Sequence, residues 1–161
     1  LFSGIADPLI QAEYEMDEST PPALPKRIRE AIERAREIAS RAHCPYSQFH
    51  VGCVLIDASG RWFEGCNVEN ASYSVTLCAE RVAASQAVAQ GSRDWKEIII
   101  VSPTRVSPCG TCRQFLFEFA PDMQVYLGDL TTDDVIGPLA LRDFLPMAMT
   151  LQQTELPRRN S

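Results

Sequence analysis

The sequence contains no apolar run long enough to cross a bilayer, no internal repeat and no low-complexity tract. Residues 1–10 have neither the basic start nor the long apolar stretch of a secretory leader. Positive charge is also in short supply: 15 Lys and Arg against 21 Asp and Glu leave a net charge of −6. That deficit argues against a nucleic-acid binder that relies on neutralising phosphates, but not against a small polar substrate. The lack of a leader points to a cytoplasmic, reducing location, where six cysteines are better read as thiols than as disulfides.

The 161 residues suffice for one domain with a sizeable core, and 45% hydrophobic with 22% charged residues is ordinary for a globular protein. Residues 1–25 read as an arm: an acidic stretch, Glu13-Tyr14-Glu15-Met16-Asp17-Glu18, is followed by Pro21, Pro22 and Pro25. Its short apolar group (Leu1, Phe2, Ile5, Leu9, Ile10) leaves disorder and docking on a surface equally open. Residues 26–149 form the main domain, and 150–161 are a polar tail expected to fray.

Within the domain, Ile28, Ala31, Ile32, Ala35, Ile38, Ala39 and Ala42 recur at helical spacing behind Pro25. Residues 49–56 and 61–66 read as a hairpin around the turn Asp57-Ala58-Ser59-Gly60. A polar loop covers 67–74, and a helix over about 76–90 stops at Gly91. Ile98-Ile99-Ile100-Val101 is apolar throughout and reads as a central strand. A loop over 103–108, a helix from Cys109 to before Pro121, and a strand at 125–127 follow. A short strand near Val135 and a short helix over 141–145 complete the domain. Strands separated by helices imply an α/β fold: three layers, α/β/α, around a mixed sheet of roughly five strands. In that arrangement two crossover helices begin at the same edge of the sheet.

Those two helix starts carry the chemistry. One segment is Thr76-Leu77-Cys78-Ala79-Glu80-Arg81; the other is Pro108-Cys109-Gly110-Thr111-Cys112-Arg113-Gln114. Cys109 and Cys112, three apart at a helix start, can aim both sulfurs one way, and the helix N-terminus favours thiolates. Gly110 is expected to allow a tight turn around a metal. Cys78 supplies a third ligand. Three ligands leave one position of a zinc tetrahedron for water, the pattern of a catalytic ion. Glu80 is too near Cys78 to be a comfortable fourth ligand and is placed to act as general base. Arg81 and Arg113 are expected to donate hydrogen bonds to the sulfurs and offset their charge. A Cys-x-x-Cys alone would equally suit a redox pair or half of a structural zinc knuckle; the added Cys-x-Glu favours catalysis.

With these segments, the chain resembles the small three-cysteine cytidine deaminases of nucleotide salvage. Two further motifs carry the resemblance: Tyr46-Ser47-Gln48-Phe49-x-Val51-Gly52, and Gly65-Cys66-Asn67-Val68-Glu69-Asn70-Ala71-Ser72-Tyr73. It spans roughly residues 26–149. It implies one zinc ion per chain, a homotetramer with sites shared between subunits and a nucleoside substrate; the acidic charge and the lack of a long apolar run argue against nucleic-acid and membrane partners. It further implies that Asn67 and Glu69 bind the ribose 3′-hydroxyl and that Phe49 packs on the base. The Ala79 N–H would take the base carbonyl, and Tyr73 would reach a neighbouring subunit's site. Cys44, Cys53 and Cys66 remain plain thiols.

Three features depart from that family. Met149 stands where an aromatic usually stacks on the base of an adjacent subunit, so the pocket is expected either to accept a different or bulkier base or to bind cytidine weakly. The loop 103–107 is short, and the acidic arm is an addition. The reaction implied is hydrolytic deamination of cytidine and 2′-deoxycytidine. The alternatives are a deaminase of another aminopyrimidine nucleoside such as a blasticidin-type antibiotic, a nucleic-acid editing deaminase, and a structural zinc module. The last requires a fourth protein ligand.

Overall fold

A computed structural model describes residues 24–150. The expectations for nearly all of the N-terminal arm and the C-terminal tail therefore lie outside the described residues. Strand β1 (Gly52–Asp57) turns into β2 (Trp62–Cys66), and helix α1 (Lys26–Ala39) precedes both. Helix α2 (Ala79–Ala89), β3 (Trp95–Ser102), α3 (Gly110–Phe117), β4 (Gln124–Asp129) and β5 (Val135–Ala140) follow, with 3₁₀ turns at Tyr73–Val75 and Leu141–Phe144.

The five strands make one sheet in the order β2-β1-β3-β4-β5. Only β3 and β4 pair in parallel; the other neighbours are antiparallel. Helices cover both faces, so the middles of β1 (53–56) and β3 (98–101) are apolar without interruption, and the two-residue period splits their side chains between the faces. Val54, Ile56, Ile99 and Val101 point toward α1, meeting Ile28, Ala31, Ile32 and Ala35. Leu55, Ile98 and Ile100 point the other way, into a core with Ala83, Ala84 and Leu116 of α2 and α3. The expected three layers and central third strand are what the chain forms.

Because β1 runs antiparallel to both β2 and β3, strands β2, β3 and β4 all point the same way. Helix α2 leaves the end of β2 and α3 leaves the end of β3, so both helices begin at one edge of the sheet. This is the crevice at the carboxyl ends of strands where α/β folds place ligands. Gly65 sets how close α2 comes: a Cβ there would lie 2.3 Å from the Ala79 carbonyl oxygen and 2.5 Å from the Ala83 nitrogen.

Several boundaries differ from expectation, each for a local reason. The first strand begins at Gly52, not at 49. Residues 49–51 are held by a side chain instead of a neighbouring strand: Asn67 accepts from the Val51 N–H (2.9 Å) and donates to the Phe49 carbonyl (2.8 Å). Helix α2 begins at Ala79, not at 76. Val68 and Leu77 exchange both backbone hydrogen bonds at 2.9 Å, which keeps the chain extended up to Cys78. Ala42 lies beyond the end of α1.

Candidate active site

Cys78 is the N-cap of α2 and Cys109 the N-cap of α3, while Cys112 sits in the first turn of α3. The three sulfurs lie within 4.8 Å of one another. The Cys78 and Cys109 sulfurs are 3.7 Å apart. Two thiolates on a tetrahedral zinc with bonds of about 2.3 Å would be about 3.8 Å apart, so the residues present fit that ion. Among the described residues no fourth His, Cys, Asp or Glu joins the cluster, against the requirement of a structural zinc module. The six cysteines form no disulfide among the described residues.

The sulfurs differ in electrostatics. A Cys112 thiol donating to Cys78 favours the Cys78 thiolate and lowers its pKa, with Arg81 and Cys109 assisting. The same pairing, reinforced by burial, pushes Cys112 up. Arg81 reaches the cluster: one guanidinium nitrogen donates to the Thr76 carbonyl at 2.7 Å and lies 4.0 Å from the Cys78 sulfur. Burial opposes the charge on Arg81, but hydrogen bonding to Cys78 and Cys112 outweighs it and raises the pKa. Its Nε is buried with no partner.

Arg113 does not do what its position suggests. It donates to the Pro108 carbonyl (2.6 Å), the Ser107 hydroxyl (2.9 Å) and the Phe144 carbonyl (3.0 Å), and lies over the Phe144 ring. Its hydrogen bonds are to oxygen, and none reaches a sulfur. The guanidinium braces the loop before Cys109 against the 3₁₀ turn after β5. Gly110 also departs from expectation. It opens α3 without a left-handed backbone angle, and a Cβ there would meet nothing within 4 Å.

Glu80 is 5% exposed in the first turn of α2 and borders the cavity in front of the cysteines. Burial, with the neighbouring Cys78 charge adding to it, raises its pKa to about 7. The Ala79 N–H, one residue earlier, falls among the first N–H groups of a helix, which have no partner within it.

The cavity has a volume of about 370 Å³, enough for a small ligand. Phe49, Asn67, Glu69, Ala79, Cys78 and Cys109 all line it with Glu80. Asn67 and Glu69 carry a second duty that their loop position does not disclose. Glu69 accepts from the N–H groups of Tyr46 (2.9 Å) and Ser47 (3.2 Å) and from the Ser47 hydroxyl. The Ser47 bond leads in holding the Glu69 carboxyl below its usual pKa, against burial. Tyr73 and Met149 do not line this chain's cavity. Tyr73 is 76% exposed and packs edge-on against Tyr46. Met149 is 64% exposed, its backbone held by both ends of the Gln114 amide at 2.9 and 3.2 Å. Sequence reasoning missed Ser47, Val106 and Ser107, which line the cavity. Ser47 lies within the Tyr46–Gly52 motif, and the other two lie at the short loop before Pro108.

Comparison with known proteins agrees with this geometry. Residues 25–128 match the family described as cytidine and deoxycytidylate deaminase zinc-binding region. A cytidine deaminase of Halalkalibacterium halodurans is 44% identical over 128 residues, 78% of this chain and 92% of that protein. The crystal structure of cytidine deaminase from Burkholderia pseudomallei is similar at 39% identity with a TM-score of 0.70, covering 75% of this chain and 98% of that one. That of the Mycobacterium tuberculosis cytidine deaminase is similar at 32% identity and a TM-score of 0.67, covering 76% and 97%. With two helix starts gathering three sulfurs beside a cavity that Cys78, Cys109 and a buried carboxylate line, and with these relatives matching across most of their length, the chain belongs to the cytidine and deoxycytidylate deaminase family.

Proposed function

We propose that the chain is a zinc-dependent hydrolase that deaminates cytidine and 2′-deoxycytidine, adding water and releasing uridine or 2′-deoxyuridine with ammonia. The observation that carries the reading is a buried carboxylate, Glu80, beside a three-sulfur cluster with no fourth ligand among the described residues, both on one cavity. When bound by Cys78, Cys109 and Cys112, zinc supplies Lewis acidity that activates water at neutral pH.

The remaining work falls to the chain. Glu80 accepts one proton of the attacking water and delivers it to ring N3; it then takes the second proton from the hydroxyl now on C4 and passes it to the amino group, which departs as ammonia. The Ala79 N–H binds the base carbonyl and Phe49 forms one wall of the base site. Arg81 tempers the charge of the thiolates. Asn67 and Glu69 read the 3′-hydroxyl with the capacity their internal bonds leave over. After pairing with Phe49 and Val51, the Asn67 amide keeps one N–H and one lone pair; after accepting three bonds, the Glu69 carboxylate keeps about one site.

Tyr73 and Met149, exposed and outside this cavity, suit contact with the sites of neighbouring copies, which supports a homotetramer with shared sites. Val75, Leu77 and Met147, near these two in sequence, are exposed apolar side chains as well. Met149 in place of an aromatic leaves room for a bulkier base. If Met149→Phe leaves KM for cytidine and its ring-modified analogues unchanged, that part fails. Three ligands that must be thiolates suit the reducing cytoplasm, and the reaction suits pyrimidine salvage. The substrate is a free nucleoside: a net charge of −6 disfavours a polynucleotide.

A spectrophotometric deamination assay of the parent chain and Glu80→Gln tests the reading. The variant should keep its fold and one zinc per chain and lose at least about 100-fold in kcat. Substantial turnover by Glu80→Gln would overturn it.

A further inference from the structure

The hydroxyl of Ser47 stands at the junction of two parts of the cavity. It donates to Glu69 Oε1 at 2.5 Å and accepts the Phe49 N–H at 3.0 Å. The Ser47 N–H adds a bond to Glu69 Oε2. Its neighbours hold the turn rigidly. The Gln48 backbone sits at φ 56, its N–H donates to the Cys44 carbonyl, and its side-chain amide donates to the Pro45 carbonyl. Ser47 itself lines the cavity. A glutamate carboxylate, carried on three rotatable bonds, has many orientations open to it. Here the hydroxyl of Ser47 and the two N–H groups of the turn select one, and the same hydroxyl fixes the backbone that carries Phe49.

We propose that Ser47 is a positioning residue of the sugar subsite: its hydroxyl aims the Glu69 carboxylate at the substrate 3′-hydroxyl and couples that aim to the wall formed by Phe49. The proposal rests on the reading of Glu69 as a ribose ligand. Ser47→Ala removes one bond to Glu69 and one acceptor for Phe49, and Glu69 then reaches the sugar only after being reordered. A charge-assisted hydrogen bond of this kind is worth about a tenfold change in an equilibrium.

The test compares cytidine with 3′-deoxycytidine, which lacks only the 3′-hydroxyl, in the zinc-loaded parent, Ser47→Ala, Ser47→Thr, Glu69→Gln and the Ser47→Ala/Glu69→Gln double variant. Ser47→Ala should raise KM for cytidine about tenfold, raise KM for 3′-deoxycytidine, which registers only the lost Phe49 support, by no more than about threefold, and change kcat by less than about twofold. Ser47→Thr, which keeps the hydroxyl, should recover most of the loss. In the Glu69→Gln background the Ser47 substitution should add little, because the two act through one contact. Equal loss on both substrates would mark a structural defect and overturn the proposal. So would an unchanged preference in Ser47→Ala where Glu69→Gln abolishes it. If Glu69→Gln itself leaves the preference for the 3′-hydroxyl intact, the ribose reading of Glu69 fails, and the proposal fails with it.

Discussion

Gly65→Ala is the most direct test of how the sheet positions the metal ligands. The new Cβ would lie 2.3 Å from the Ala79 carbonyl oxygen and 2.5 Å from the Ala83 nitrogen. Carbon–oxygen contacts settle at about 3.3 Å or more, so α2 must retreat from β2 by about 1 Å. Both clashing atoms are backbone, and no side chain can rotate to relieve them. Overpacking of this kind costs about 1–3 kcal/mol, and the upper end is expected here. The site should suffer more than the fold. Cys78 caps the displaced helix, and metal sites tolerate deviations of only about 0.2 Å in ligand distance. Urea denaturation and competition with a chromogenic chelator give the two numbers. Gly110→Ala is the control, because its Cβ meets nothing within 4 Å; it should retain zinc and change stability by less than about 1 kcal/mol. The reasoning is refuted if Gly65→Ala binds zinc as the parent does and its stability is within about 0.5 kcal/mol.

The two arginines beside the ligands should separate cleanly. Arg81→Ala removes the cation next to Cys78 and should weaken zinc at least about tenfold in chelator competition, whereas Arg113→Ala frees the loop before Cys109 and should act mainly on KM. Equal effects of both on zinc would contradict their different contacts. Asp57 gives a prediction in pH. Burial works to raise its pKa, but hydrogen bonds from Ser59, Ser92 and Arg61 outweigh it and hold the carboxyl well below the usual range. A folded value below the unfolded one means the stabilisation is present above about pH 4 and drains away as pH falls toward the folded value. Asp57→Asn should therefore lose about 2 kcal/mol at pH 7 and show a flatter acid limb below pH 4 in urea titrations. A variant with the parent's acid limb would count against this.

The layers of the fold could be read in the chain because both sheet faces are buried. Four consecutive apolar residues at 98–101 admit few other arrangements, and α1 declares its buried face by its spacing. The ends of elements were harder, because they depend on contacts distant in sequence. Asn67 stands in for a strand partner at 49–51, and the Val68–Leu77 pair delays α2; neither is encoded within the segment it controls. The zinc cluster was legible since its ligands lie in two short segments whose spacing restricts them. Arg113 misled because adjacency to Cys112 says nothing of direction: α3 turns its side chain toward Pro108 and Phe144. Glu69 was found by resemblance, but its bonds to the 46–47 turn join segments more than twenty residues apart.

Cys78 and Cys109 both occupy N-cap positions, and neither makes a side-chain cap hydrogen bond within the chain. A helix normally closes its first turn with a Ser, Thr, Asp or Asn oxygen. These two have given that role to sulfur, so an ion held there also fastens the starts of α2 and α3 to each other. Glu80 lies inside one of the turns so fastened. Zinc scarcity would then do more than remove a reagent: it would loosen the turn that holds the proton carrier. Amide exchange at the first turns of α2 and α3 would register metal status before the rest of the sheet does.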